Sequence, residues 1–300
     1  MRIVLDLQAV QTESRFRGIG RYSLELAKAI VKNAVNHEIW ILLSEQLVNV
    51  MPDIVIAFEG TLPKNRIILL SVPNEISWES ANNQWRREAA QIIRDDFLNQ
   101  IAPDIVHVAS LFEGADKCAA TSSIGHPQNR FRTAVTLYDL IPLLNPEQYL
   151  GAQWVRDWYM DKVESLKRAD LLLAISEYAR QEAMEHLSLN GDTVINIGAS
   201  HTSNFHPTNL TDLARKVLLS RYAITKPFLL YSGAFDARKN LDRLVEAFVK
   251  LPVQLRSEHQ LVFVGKTSDL DVLQFAALGK KYGLENQLIL LGFVDRKSVV

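Results

Sequence analysis

Two clusters in this 300-residue chain combine residue types suited to holding an anion. The first is Tyr231-Ser-Gly-Ala-Phe-Asp-Ala-Arg-Lys-Asn240, which closes a short apolar run and precedes a helical pattern. A small-residue turn at that point presents unpaired backbone amides at a helix N-terminus, and Arg238 and Lys239 add two positive charges. A helix dipole favours cations at its other end, so a basic pair here is unfavourable unless an anion offsets it. Phosphate is the guest that fits, with two solvated loop charges as the plain alternative.

The second cluster is Arg15-Phe-Arg-Gly-Ile-Gly-Arg-Tyr22. Gly18 and Gly20 would let backbone approach a ligand where a helix starts, or simply ease a turn. A dinucleotide fingerprint needs a third glycine and a tight turn directly after the strand; here that position is Ser23 and about ten residues intervene after Leu7. Four further candidates follow apolar strand patterns, at the carboxyl ends where open α/β sheets bind ligands. They are His107, Tyr138, Asp139 and Ser176. His107 reads as a catalyst or a hydrogen-bonded structural residue, Asp139 as a catalyst or the cap of the turn that Pro142 continues, and Ser176 as a helix N-cap that could reach a ligand. Trp78, Trp85, Trp154 and Trp158 read first as packing residues and second as sugar-stacking surfaces. No P-loop, zincin or nucleophile-elbow motif occurs.

The elements that must position these residues are short apolar runs alternating with longer helical patterns, the mark of parallel sheets with crossover helices. Strands are predicted at 3–7, 38–43, 67–71, 105–108, 133–137, 171–175 and 194–197, with helices at 19–33, 83–101, 152–167 and 177–187. A Pro- and Asn-containing stretch interrupts this rhythm and carries a short helix near 211–221. The rhythm then resumes with strand 228–231, helix 241–250, strand 260–264, helix 269–282 and strand 287–291, and Asp295-Arg-Lys-Ser298 reads as the start of another helix. The expected organisation is a first Rossmann-like domain over 1–205, a connection over 206–226, and the start of a second, incomplete domain over 227–300.

Composition narrows the function classes. At 48 % hydrophobic and 22 % charged residues the chain is an ordinary globular protein, and a formal charge of -1 leaves no basic surplus for nucleic acid. The single cysteine, Cys118, reads as an inert core residue and excludes an internal disulfide framework. No run approaches the ~20 apolar residues that span a bilayer. The expectation is a cytoplasmic protein, with peripheral contact at the inner face of a membrane left open.

Taken in order, Gly18-Ile-Gly-Arg-Tyr22, Asp104-Ile-Val-His107, Val135 to Pro142, Ala174-Ile-Ser-Glu-Tyr-Ala179, Tyr231 to Leu241, Val262-Phe-Val-Gly265 and Leu291-Gly-Phe-Val294 resemble the family 4 (group 1) glycosyltransferases. The similarity is to the mannosyltransferase-like branch that builds O-antigen and other surface polysaccharides, and it runs over the whole chain. The resemblance implies an α/β fold of the GT-B type, two Rossmann-like doubly wound domains facing a cleft. It also implies retaining transfer of a hexose, mannose favoured, from a nucleotide sugar (GDP-mannose ahead of a UDP-hexose) to a growing glycan or lipid-linked glycan, with no required metal or other cofactor. Arg238, Lys239, Gly233, Gly18 and Gly20 would meet the donor diphosphate, and Gly265 and Val294 the nucleoside. His107 and Asp139 would be the catalytic candidates, with Tyr138 and Ser176 elsewhere in the cleft. The chain departs from many relatives in carrying Ala234 where they have a basic residue and Tyr138 where they have histidine, and the family's paired glutamates are expected beyond Val300. A nucleotide-sugar binding or regulatory protein, or an epimerase or phosphorylase of the same fold, is the alternative reading.

Overall fold

The computed structural model describes residues 1–115, 120–201, 206–207 and 209–294. Cys118 and the 295–298 segment lie outside the described residues. The chain forms two compact units, Met1–Phe205 and His206–Val300.

The first unit carries seven parallel strands: β1 Arg2–Asp6, β2 Glu38–Ser44, β3 Ile67–Leu70, β4 Ile105–Val108, β5 Arg132–Leu137, β6 Leu171–Ala174 and β7 Val194–Asn196, in the order β3-β2-β1-β4-β5-β6-β7. Its α-helices are α1 Gly18–Asn33, α2 Met51–Ala57, α3 Gln84–Ile101, α4 Ile141–Leu144, α5 Pro146–Tyr149, α6 Gln153–Lys167 and α7 Glu177–Leu187. Unbroken apolar strands require cover on both faces, and they get it. Leu5, Ile39, Ile41 and Leu43 pack with Ala27 of α1 and Ile54 of α2. On the other face Val4, Val106, Val135 and Leu172 pack with Leu98 of α3, Val163 and Leu166 of α6, and Ala183 of α7. Each fully buried aliphatic side chain of this kind contributes roughly 1.5–3 kcal/mol. The strand order reverses between β1 and β4, so the loops leaving those two strands part there and open the position where doubly wound sheets take ligands.

The second unit holds β8 Phe228–Ser232, β9 Gln260–Val264 and β10 Leu288–Gly292 as a parallel sheet in the order β10-β9-β8, with α8 Asp212–Arg221, α9 Leu241–Val249, α10 Val253–Ser257 and α11 Asp269–Tyr282. Val245, Phe248, Phe263 and Phe275 form its core. The 206–226 stretch carries α8, capped by Thr211, and the amides of Thr225 and Lys226 donate to Gln260 Oε1 at 2.9 and 3.2 Å. Trp158 packs against Phe112 as expected, but Trp85 does not pack: it is 61 % exposed, with the Arg86 guanidinium over its ring. No helix among the described residues is long and apolar enough to cross a membrane.

Candidate functional site

In the first unit, the stretch after β1 is not a loose loop. It winds through two 3-10 turns, Gln8–Val10 and Glu13–Phe16, before α1 begins at Gly18. The second turn is capped by Thr12, whose hydroxyl accepts from the Ser14 amide, and it lies directly on the first turn of α1. A Cβ added at Gly20 would stand 2.4 Å from Ser14 O and 2.5 Å from Arg15 Cα, so only glycine permits that approach. Gly18 differs: nothing lies within 4 Å of the Cβ it lacks. Arg17 caps α1 without a side-chain hydrogen bond, which leaves this helix end to its own amides.

Tyr138, directly after β5, ties into the same place. Its hydroxyl sits 2.8 Å from Ser23 Oγ and 3.2 Å from the carbonyls of Ile19 and Ala109, and its ring meets Tyr22 edge-on at 5.6 Å. Burial pushes this phenol well above its ordinary value, so it acts as a neutral donor. Gly18, Gly20 and Tyr138 are therefore neighbours. The other candidates are not part of that group. His107 is 5 % exposed inside β4, with Nε2 2.8 Å from Thr136 Oγ1. Burial lowers it to about 4, against a smaller opposing effect of Asp6, so it is a neutral ring enclosed in the sheet at physiological pH. Asp139 is exposed, and Oδ1 accepts from the Ile141 amide at 3.1 Å, the turn cap weighed above. Ser176 caps α7 by accepting from the Ala179 amide at 3.1 Å and stays exposed.

Beneath this edge lie charged residues that no motif in the sequence marks. Asp6 at the end of β1 pairs with Arg94 of α3 at 2.7 Å, the two side chains 3 % and 0 % exposed. Gln8 Nε2 donates to Asp6 Oδ1 at 2.9 Å, and Arg94 Nη1 donates to Ser123. An acid ending an otherwise apolar strand was the one available signal, since such a group needs a buried partner.

In the second unit, the Gly233–Asn240 turn is built on aromatic packing. Phe235 lies edge-on to Phe275 at 5.2 Å and near Phe263, which anchors the turn in the core. Beyond it a 3-10 turn, Ala237–Lys239, precedes α9, so the two cations sit ahead of the helix rather than in its first turn. Arg238 is committed: its guanidinium bonds Asp236 at 3.1–3.2 Å, which holds that carboxyl below its usual range. Lys239 is exposed, and its ammonium makes no hydrogen bond or ion pair among the described residues. Beside this turn, three adjacent strand ends are glycine. Gly233 N donates to Val264 O at 3.0 Å and Gly265 N to Gly292 O at 2.9 Å. A Cβ at Gly265 would fall 1.8 Å from Gly233 O. Val294 follows Gly292, which has φ +66°. The space of the missing Cβ is filled by Tyr231 Oη at Gly233 and by Gly233 O at Gly265, so close packing demands glycine there, whereas at Gly292 the nearest atom, Thr267 Oγ1, is 3.8 Å away.

Known proteins resemble this chain in both units. Residues 220–300 match the model of "Glycosyl transferases group 1". The serotype-specific mannosyltransferase WbdA of Escherichia coli is 33 % identical over 302 residues, 100 % of this chain and 36 % of that protein. The chain is similar to the group 1 glycosyltransferases over residues 220–300 and to WbdA over its whole length. It also resembles the E. coli O-antigen chain mannosyltransferase B, 23 % identical over 252 residues, 83 % of this chain and 60 % of that one. Among solved structures, the Anabaena protein Alr3699/HepE in complex with UDP superposes with a TM-score of 0.62 at 14 % identity, over 99 % of this chain and 70 % of that one. The lipopolysaccharide outer core galactosyltransferase WaaB superposes at 0.59 with 16 % identity, over 99 % and 69 %. The fold of this chain is thus GT-B, and the chain spans about a third of the length of the WbdA relatives.

Proposed function

We propose that this chain is a group 1 glycosyltransferase that moves a hexose, with mannose preferred, from a nucleotide sugar to a growing surface glycan, with retention at the anomeric carbon. The glycine-lined strand ends of β8, β9 and β10 beside Lys239 carry the reading. Gly233 and Gly265 let the strand ends close up beside Gly292, and that side-chain-free edge admits the nucleotide, with Val294 on the nucleoside side. Lys239 neutralises the diphosphate.

When the bond from the anomeric carbon to the phosphate oxygen breaks, the electron pair stays with the diphosphate, whose charge then grows. A cation placed there stabilises that state more than the ground state, which is how charge speeds a reaction. Arg238, bonded to Asp236, fixes the turn that aims Lys239 and adds positive potential from one side. In the first unit, Gly18, Gly20 and Tyr138 form the edge that meets the acceptor glycan or the donor phosphates. His107 supports that edge from within the sheet through Thr136 and transfers no proton. Asp139 and Ser176 remain candidate contacts on exposed turns of the same edge. Similarity to mannosyltransferases of O-antigen assembly supports a lipid-linked acceptor, reached at the cytoplasmic face of a membrane.

The test is incubation of the chain with radiolabelled GDP-mannose, UDP-glucose and UDP-galactose, with and without a mannan-type acceptor. Transfer or slow hydrolysis from GDP-mannose above both UDP-sugars is expected. Neither transfer, hydrolysis nor binding of any of the three would overturn the reading.

A further inference from the structure

The loop after β4 places one carboxylate where it governs the glycine-bearing start of α1. Glu113 follows Phe112, whose ring stacks on Tyr159 at 4.8 Å, so its own backbone is anchored in the core. From there its carboxylate reaches across the position where the strand order reverses. Oε2 accepts from Thr12 Oγ1 at 2.7 Å, and Oε1 accepts from Ser14 Oγ at 2.9 Å and Ser110 Oγ at 3.0 Å. Thr12 and Ser14 belong to the 3-10 turn that rests on Gly20, the contact so close that a Cβ would stand 2.4 Å from Ser14 O. One rigid carboxylate therefore fixes the turn, and the turn fixes the first residues of α1.

We propose that Glu113 is a positioning residue: a three-hydroxyl latch from the β4 loop that holds the 12–17 turn against buried Gly20 of α1 and so sets where exposed Gly18 presents its backbone to substrate. This rests on the reading of that edge as a substrate contact. A second observation agrees. Burial pushes the Glu113 carboxyl up from its ordinary value, although three hydroxyls and Arg17 pull the other way. The surrounding charged and titratable groups are Arg17 from the turn, Asp6 at the end of β1, the neutral phenol of Tyr138 after β5 and Lys162 of α6. A group with a raised acid pKa adds stability at low pH that is lost as pH rises through the folded value, so Glu113 supports the fold less above that value than below it.

Amide hydrogen exchange on the intact chain tests the latch without reference to activity. The variants are Glu113→Gln, the pair Thr12→Val with Ser14→Ala, and the three changes together. Amides 12–20 should exchange about tenfold faster in each, as expected for losing hydrogen bonds to a charged group, while those of β5 and β6 keep their wild-type rates. Because all the changes break one interaction, the combined variant should be no faster than the Thr12/Ser14 pair. The melting temperature of Glu113→Gln at neutral pH should not fall, which separates a latch from general support of the fold. With the nucleotide sugar that the transfer assay identifies, KM should rise roughly tenfold while kcat stays within about twofold. Unchanged exchange at 12–20 in the Thr12/Ser14 pair, or additive effects in the combined variant, overturns the latch. Faster exchange with unchanged KM upholds the latch and overturns the assignment of the glycine edge to substrate.

Discussion

The two glycines at the start of α1 should respond oppositely to the same substitution. Gly18→Ala adds a methyl group where nothing lies within 4 Å. Alanine is the better helix former and restricts the unfolded chain, so this change should stabilise by about 0.5–1 kcal/mol. Gly20→Ala gains the same propensity but drives its Cβ to 2.4 Å from Ser14 O, 2.5 Å from Arg15 Cα and 2.6 Å from Arg15 N, all of them backbone. Ordinary contact needs roughly 1 Å more, and overpacking of this kind costs about 1–3 kcal/mol or more, leaving a net loss near 2 kcal/mol after the propensity gain. The two variants should thus differ by about 2–3 kcal/mol in urea denaturation, which in a domain of this size is of order 5–10 °C in melting temperature. The open space over Gly18 has a second consequence: if substrate occupies it, Gly18→Ala should weaken ligand binding while raising stability. A Gly18→Ala protein less stable than Gly20→Ala would refute the packing argument. A more stable Gly18→Ala protein with unchanged ligand affinity would remove Gly18 from the site.

Three further outcomes follow from the geometry. Gly265→Ala, with a Cβ 1.8 Å from Gly233 O, should force β8 and β9 apart at their ends and abolish measurable nucleotide binding by calorimetry, while circular dichroism of the chain changes little. His107 is held near 4 against an ordinary 6.5, so its contribution is present above pH 6.5 and is lost as pH falls through about 4; replacing it with glutamine should remove roughly 3 kcal/mol of acid sensitivity between those limits, read as a flatter stability profile. Arg94→Leu would leave Asp6 buried without its partner and should cost about 3–5 kcal/mol, whereas Lys167→Ala, which breaks an exposed pair with Glu164, should cost under about 1 kcal/mol in the same denaturation assay.

The sheets were legible in the sequence because strands buried on both faces are unbroken apolar runs: Ile105–Val108 and Gln260–Val264 have the predicted bounds, and Leu288–Gly292 is displaced by one residue. The short helices α2, α4, α5 and α10 were not read, since four to seven residues hold too little periodicity to separate from loop. Trp85 escaped because a helix pattern gives the apolar positions but not which of them the rest of the chain covers. The basic turn was legible as a cluster, yet the bond between Arg238 and Asp236 depends on a 3-10 turn that the residue order does not announce. His107 was found by type and place, but pleating decided that its ring faces Thr136 inside the sheet. Glu113 could not have been found at all from spacing: its partners Thr12 and Ser14 are about a hundred residues away and meet it only when β1 and β4 pair.

Calorimetric titration of wild type and Lys239→Ala with GDP and with guanosine decides whether Lys239 meets the diphosphate of a nucleotide donor. Loss of one charged phosphate contact is worth roughly 1.5–3 kcal/mol, so GDP should bind the variant about 10- to 150-fold more weakly while guanosine binds both proteins alike. Equal GDP affinity in the two proteins would contradict the account.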